Sequence, residues 1–227
     1  MDLDVYPTPS AAAHAAAAKI AELLVAAVAT RGSATIALSG GRTPEAMVRQ
    51  LVTLPVPWEF VHLFQVDERA VPSDDPARNW TQLLPLATLV PPTHRHPMPV
   101  EVDDADTSYA KELAAVTGRP VALDVVHLGL GADGHTASLV PDDPAVDEVD
   151  LDVAWVNAYG GHRRLSLTLP VLKRARHQVW LVAGSEKAAA LHEMAHDRSV
   201  SPAARAASGA SATFYVDVTA AASSTET

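Results

Sequence analysis

A chain of 227 residues, 48% hydrophobic and 19% charged, has the size and composition of a globular protein with a well-buried core rather than a disordered or fibrous one. Its formal charge of -10 argues against nucleic acid as a partner, because binding a phosphate backbone needs a basic face. The absence of cysteine excludes disulfides, thiolate nucleophiles and zinc–thiolate sites.

The first residues, Met1-Asp-Leu-Asp-Val-Tyr-Pro7, are acidic and lack the basic start and apolar core of a signal peptide. The apolar segment Ala11–Ala29 carries His14, Lys19 and Glu22, so it reads as an Ala-rich soluble helix rather than a membrane span. A cytoplasmic protein without a membrane partner is expected. Ser10 is the expected N-cap of this helix, which runs to about Arg31 and stops at Gly32. A short strand, Thr35–Leu38, leads into the turn Ser39-Gly40-Gly41-Arg42-Thr43, and Pro44 suits the first turn of a helix over Glu45 to about Leu51. N–H groups at such a helix start can form an anion site. On the local pattern alone, a plain tight turn is a comparable reading.

Phe60–Val66 is predicted as a second buried strand, ending in Asp67-Glu68-Arg69 and the loop Val71–Asn79. Three charged residues at a strand end are usually a solvated rim, but here they fall at the same end of the sheet as the glycine turn. Trp80–Leu84 starts a helix. Pro91–Pro99 is a connecting loop whose His94 and His96 are expected to face solvent, since they lack a third ligand at metal spacing. Asp104–Val116 is a helix closed by Gly118, and Val125–Leu130 a buried strand.

Beyond Pro141 comes an acidic loop over Asp142–Asp152, then a strand Val153–Ala158 and the turn Gly160–Arg164. Leu165–Leu169 is extended, Pro170–Arg174 a short helix, and His177–Ala183 another apolar strand. Ser185 is the expected N-cap of a helix reaching about His196, Ala212–Val218 a last strand, and Ser223–Thr227 a frayed tail. Strands alternating with helices predict an α/β fold, a mainly parallel Rossmann-like sheet with helices on both faces. No repeat or linker divides the chain, so residues 1–227 are expected to form one domain.

The chemistry concentrates in Gly129-Leu-Gly-Ala-Asp-Gly-His135. The glycines satisfy G-x-G-x-x-G, yet Pro141 arrives too soon for the helix a dinucleotide fingerprint requires. There is no Walker A loop, and Ser39-Gly-Gly is not a nucleophile elbow. General acid–base chemistry by His135, with Asp133 beside it, remains.

Four blocks stand together: Ala37-Leu-Ser-Gly-Gly-Arg-Thr-Pro44, Val66-Asp-Glu-Arg-Ala-Val-Pro72 with Asn79, Leu128-Gly-Leu-Gly-Ala-Asp-Gly-His-Thr-Ala-Ser-Leu-Val-Pro141, and Arg164-Leu-Ser-Leu-Thr-Leu-Pro170. In this order and spacing they resemble the 6-phosphogluconolactonase family, part of a wider group that includes glucosamine-6-phosphate deaminase. In the deaminase the histidine block continues with I-A-F-N-E-P and its D-E is followed by tyrosine. This chain has Thr136-Ala-Ser-Leu-Val-Pro141, with no acid, and Arg69. Both differences favour the lactonase.

The resemblance implies a fold similar to glucosamine-6-phosphate deaminase and hydrolysis of 6-phospho-D-glucono-1,5-lactone to 6-phosphogluconate, the second step of the oxidative pentose phosphate pathway. His135 would be the general base, Asp133 would orient it or its water, and Arg69 would serve the oxyanion or the phosphate. Phosphate binding would fall to Ser39, Gly40, Gly41, Thr43, Arg164 and Lys187, and Asn79 would meet sugar hydroxyls. Spacing favours Arg164 over Arg163, and Arg78 would add positive charge to the site. No metal or organic cofactor is implied, and the chain is expected as a monomer or weak homodimer. His14, His62, His127 and His192 read as structural or surface residues. The alternatives are a deaminase-type aldose–ketose isomerase and a non-catalytic sugar-phosphate sensor.

Overall fold

The computed structural model describes residues 1, 3–195 and 200–222. The expected C-terminal tail, 223–227, and the expected end of the helix at His196 lie outside the described residues.

The chain opens with a strand the sequence reading did not foresee, β1 (Leu3–Tyr6), followed by α1 (Pro9–Arg31). Thr8, not Ser10, caps α1: its side chain accepts the Ala11 N–H at 3.1 Å, Pro9 sits in the first turn, and Gly32 ends the helix in the left-handed conformation. By length and composition α1 could cross a bilayer. In the fold it buries Ala12, Ala16, Ile20 and Leu24 against the sheet and α2. Small Ala side chains let the helix approach closely, and Ile20 and Leu24 together remove apolar surface worth roughly 4 kcal/mol.

The βα units then follow as β2 (Ala34–Leu38), α2 (Arg42–Val52), β3 (Val61–Gln65), β4 (Asp67–Arg69), α3 (Asn79–Ala87), β5 (Arg95–His96), α4 (Ala105–Thr117) and β6 (Val125–Leu128). The second half contains β7 (Val153–Tyr159), β8 (His162–Leu167), α5 (Leu169–Arg174), β9 (His177–Val182), α6 (Ala188–Ala195), α7 (Pro202–Ala207), β10 (Ala212–Asp217) and α8 (Val218–Ala221). Seven strands pair in the order β1-β10-β9-β6-β2-β3-β5, every pairing parallel. The inner parallel strands are covered on both faces, which accounts for their largely apolar sequences. One face packs on α1, α2 and α3, the other on α4 to α8. This is the expected α/β sandwich.

The chain winds outward from β2 through β3 to β5, then returns to lay β6 on the other side of β2. The carboxyl ends of β2 and β6 therefore diverge, and such a switch point is where open α/β sheets leave a crevice.

A second sheet, antiparallel and ordered β4-β8-β7, was not anticipated. Residues 162–164, expected in a turn, belong to β8, while Thr168 and Leu169 belong to the start of α5. Asp67-Glu68-Arg69, expected as a functional block just past the end of a buried strand, forms a strand of its own and pairs residue by residue with Ser166, Leu165 and Arg164.

Three local expectations change. Ser185 does not cap a helix: it opens a 3-10 turn, Ser185–Lys187, preceded by Gly184 at φ 104°. His96 is not solvent-facing but buried, held between His62 Nδ1 at 3.0 Å and Glu112 Oε1 at 2.7 Å and stacked on Phe64. His94 is half-buried and stacks on His62 with ring centres 3.9 Å apart.

Candidate active site

At the switch point lies an open cavity of about 310 Å³, lined among others by Ser39, Gly40, Gly41, Thr43, Arg69, Asn79, His135, Arg164 and Lys187. Nine of the ten anticipated site residues thus meet in one crevice. The tenth, Asp133, stands just behind them, bonded to His135.

The loop after β6 is built to present that pair. Thr136 Oγ1 donates to the Gly129 carbonyl at 2.9 Å, and the Gly131 N–H donates to the His135 carbonyl at 2.8 Å, folding the loop back on itself. Between Gly134 and Pro141 the chain forms no α-helix, as the early Pro141 implied. Gly134, at φ 81°, leaves no room for a side chain, since a Cβ would stand 2.7 Å from Ser201 Cβ. Ala137, also lining the cavity, holds φ 53°, a conformation costing a residue with a Cβ on the order of 1 kcal/mol.

His135 Nδ1 lies 2.5 Å from Asp133 Oδ1, which also accepts the His135 backbone N–H at 3.2 Å. Burial raises the Asp133 carboxyl, but the bonds and charge of His135 outweigh it and hold the carboxyl below its usual range. An ionised Asp133 on Nδ1 fixes the tautomer with Nε2 unprotonated, so Nε2 is the nitrogen left to take a proton. Tyr159 closes the group, its hydroxyl 3.4 Å from Asp133 Oδ2 and 3.3 Å from His135 Nδ1, its ring edge-on to the imidazole. Burial and then the Asp133 charge push the Tyr159 phenol up, so it remains a neutral hydroxyl.

The cationic side comes from the antiparallel sheet. Arg69 and Arg164 are cross-strand partners, and both line the cavity. Arg69 is held by the Ala77 carbonyl at 2.7 Å, Arg164 by the Tyr159 carbonyl at 3.2 Å. Arg164 also faces Asp67, 3.8 Å away, whose Oδ2 accepts the Ser138 hydroxyl at 2.5 Å. Burial raises the Asp67 carboxyl and lowers the Arg164 guanidinium, and each charge partly restores the other. Arg163 points elsewhere and stacks on Trp155 at 3.9 Å, so Arg164 is the arginine at the cavity.

Arg78 does not add charge to the crevice. It is buried, bonded to the carbonyls of Val71 and Met98, and stands 3.3 Å from Glu68 as an ion pair. Glu68 is fully covered and accepts the N–H groups of Asn79 at 2.7 Å and Trp80 at 2.9 Å. These are the first donors of α3, so the carboxylate caps a helix from outside it. Asn79 reaches the cavity edge, its amide bonded to the Asp67 carbonyl at 3.1 Å, and its side chain fills the space a Cβ on Gly40 would need.

Two groups of the glycine turn are already engaged. The Gly41 N–H donates to Gln82 Oε1 at 2.6 Å, and the Ser39 hydroxyl donates to the His127 carbonyl at 3.0 Å. The Gly40 N–H, the Thr43 hydroxyl and the start of α2 are groups of a kind that can hold an anion at this end. Lys187 comes from the turn after β9. Among the described residues no group of three His, Asp or Glu could hold a metal.

Tyr159, Asp67, Glu186 and His127 also line the site or complete its bonds, and the sequence reading missed their part. Asp67 carried a signal, lying in the charged block after β3. Tyr159 carried none, because a hairpin distant in sequence brings it in, and Glu186 enters beside the anticipated Lys187 in the turn after β9. His127 is fully buried on β6, neither ring nitrogen has a partner among the described residues, and burial pushes it down to about 3.

A central parallel sheet, a switch-point crevice and a histidine–aspartate pair facing two arginines match one known family. The family model described as glucosamine-6-phosphate isomerases/6-phosphogluconolactonase covers residues 7–215, and the chain belongs to this family. It is 42% identical over 179 residues to the 6-phosphogluconolactonase of Synechocystis sp., a match spanning 74% of each chain. It is 41% identical over 177 residues to the human GDH/6PGL endoplasmic bifunctional protein, covering 72% of this chain but 22% of that longer protein. Among solved structures, the 6-phosphogluconolactonase of Trypanosoma brucei superposes with a TM-score of 0.86 at 26% identity, covering 96% of this chain and 97% of that one.

Proposed function

We propose that the chain hydrolyses 6-phospho-D-glucono-1,5-lactone to 6-phosphogluconate, the second step of the oxidative pentose phosphate pathway, with His135 as general base. The observation that carries the reading is the 2.5 Å bond from Asp133 to His135 Nδ1, which leaves Nε2 as a base at the cavity. Nε2 takes a proton from water as its oxygen adds to the lactone carbonyl carbon. The tetrahedral oxyanion collapses, the ring C–O bond breaks, and the imidazolium returns its proton to the leaving ring oxygen, opening the lactone to the acid. Arg69 and Arg164 supply positive charge for the oxyanion and the phosphate. Gly40, Thr43, Lys187 and the start of α2 hold the phosphate, with Ser39 and Gly41 shaping that turn. Asn79 meets the sugar hydroxyls.

The same reading takes residues 1–227 as one cytoplasmic domain, a monomer or weak homodimer, working without a cofactor. Freshly prepared lactone gives the test, its hydrolysis followed against the spontaneous rate for the parent protein and His135→Ala. The expected loss in kcat is about 10²–10⁴-fold. Parental kcat in His135→Ala would remove the base. Ammonia released from glucosamine 6-phosphate without accelerated lactone opening would make the chain a deaminase, and sugar-phosphate binding without turnover would make it a sensor.

A further inference from the structure

His127 sits in the floor of the crevice, and no step of the proposed hydrolysis uses it. On β6 it pairs with Leu38 of β2 and Val179 of β9, so its ring shares the face on which Leu38, Val179 and Leu181 pack under α1 and α2. It lines the same cavity as Ser39, Thr43 and Leu181. Its side chain is fully covered, and neither Nδ1 nor Nε2 has a partner among the described residues. The other residues of β6, Val125, Val126 and Leu128, are apolar, and an apolar side chain would fill this position without the penalty of two unpaired polar atoms.

Burial keeps the ring neutral, so it carries one N–H donor and one acceptor. Its backbone is tied to the glycine turn by the bond from Ser39 Oγ to its carbonyl, which holds β6 against the turn that leads into α2. A neutral donor in an apolar floor, under a helix start that attracts anions, suits a ligand whose oxygens are charged and whose approach is from above.

We propose that His127 is a specificity-determining residue: its ring N–H donates, directly or through one bridging water, to the phosphate seated against the Ser39–Thr43 turn. It thereby favours phosphorylated over unphosphorylated lactones. The inference rests on the proposed function for where the phosphate lies.

The test compares the parent protein with His127→Leu, His127→Phe and His127→Gln. KM and kcat are measured for the phosphorylated lactone and for glucono-1,5-lactone, and the Kd of inorganic phosphate by calorimetry. Leu and Phe, which remove the donor, raise KM for the phosphorylated lactone and the phosphate Kd by about tenfold, the worth of a hydrogen bond to a charged group. Their kcat stays within about twofold, and discrimination against the unphosphorylated lactone falls by about the same tenfold. Gln, which keeps an N–H donor, recovers part of the loss. Unchanged KM and phosphate Kd in a folded Leu or Phe variant overturn the inference, as does a loss confined to kcat. A parent protein that binds phosphate in a His127-dependent way but opens no lactone would sink the lactonase reading and leave the His127 assignment standing.

Discussion

His135 Nδ1 occupies the space in which a side chain on Gly131 would begin: a Cβ there would collide with that nitrogen and with Asp133 Oδ1. The glycine is required by the pair it precedes, not by a nucleotide. Gly131→Ala must therefore push the imidazole off its carboxylate or distort the loop. A displacement on the order of 1 Å costs about 10²-fold in rate. The expected outcome is a kcat for lactone hydrolysis lower by about that factor, with a melting temperature within a few degrees of the parent. Near-parental kcat would show that the Asp133–His135 bond does not govern the chemistry.

Glu68 organises the wall opposite. Besides capping α3 it accepts Gln65 Nε2 at 2.8 Å and the Arg69 N–H at 2.7 Å, with Arg78 beside it. Glu68→Gln removes the charge from a fully covered hub and sets an NH2 group against donors. Breaking a buried pair on one side costs roughly 3–5 kcal/mol, and urea unfolding should show a loss near the lower end. A loss under about 1 kcal/mol would mean that the hub relaxes readily.

The parallel sheet and its helices were legible because buried strands announce themselves as apolar runs and helices by their caps and glycine stops. What escaped was structure stabilised from outside its own segment. β4 is three charged residues with no apolar pattern, a strand only because β8 pairs with it. β1 is an edge strand with little buried surface, held by β10 from the far end of the chain. The nine cavity residues were legible through the family resemblance that the glycine and charged blocks at strand ends carry. Tyr159 was not, since a tyrosine in a hairpin gives no hint that the fold will set its hydroxyl against Asp133 and His135. Arg78 misled for a related reason: beside a binding residue in sequence, it turns the other way and serves the core.

The two neighbouring arginines of β8 separate cleanly. Arg164→Ala should raise KM by about tenfold or more, since a charged contact to phosphate is lost. It also leaves Asp67 with less compensation, so a modest loss of stability accompanies it. Arg163→Ala removes only the stacking on Trp155, worth about 1 kcal/mol, and should leave KM within about twofold. Steady-state kinetics on the two variants decides between them, and a KM effect in Arg163→Ala alone would reverse the assignment.

The buried His127 also predicts a pH dependence of stability. Its folded-state pKa, about 3, lies below the value of about 6.5 expected in the unfolded chain. The unfolded chain therefore takes up the proton first. Stability from this group is fully present above about pH 6.5 and falls as the pH drops toward 3, by about 1.4 kcal/mol per unit. His62, lowered to about 4 by burial and by His94 and His96, adds a loss of the same sign. Between pH 7.5 and pH 5 the parent should thus lose about 2 kcal/mol to His127 alone. His127→Leu removes that contribution and keeps the one from His62. Urea unfolding at the two pH values should show the variant losing about 2 kcal/mol less than the parent, and equal losses would mean that His127 is protonated as readily in the fold as outside it.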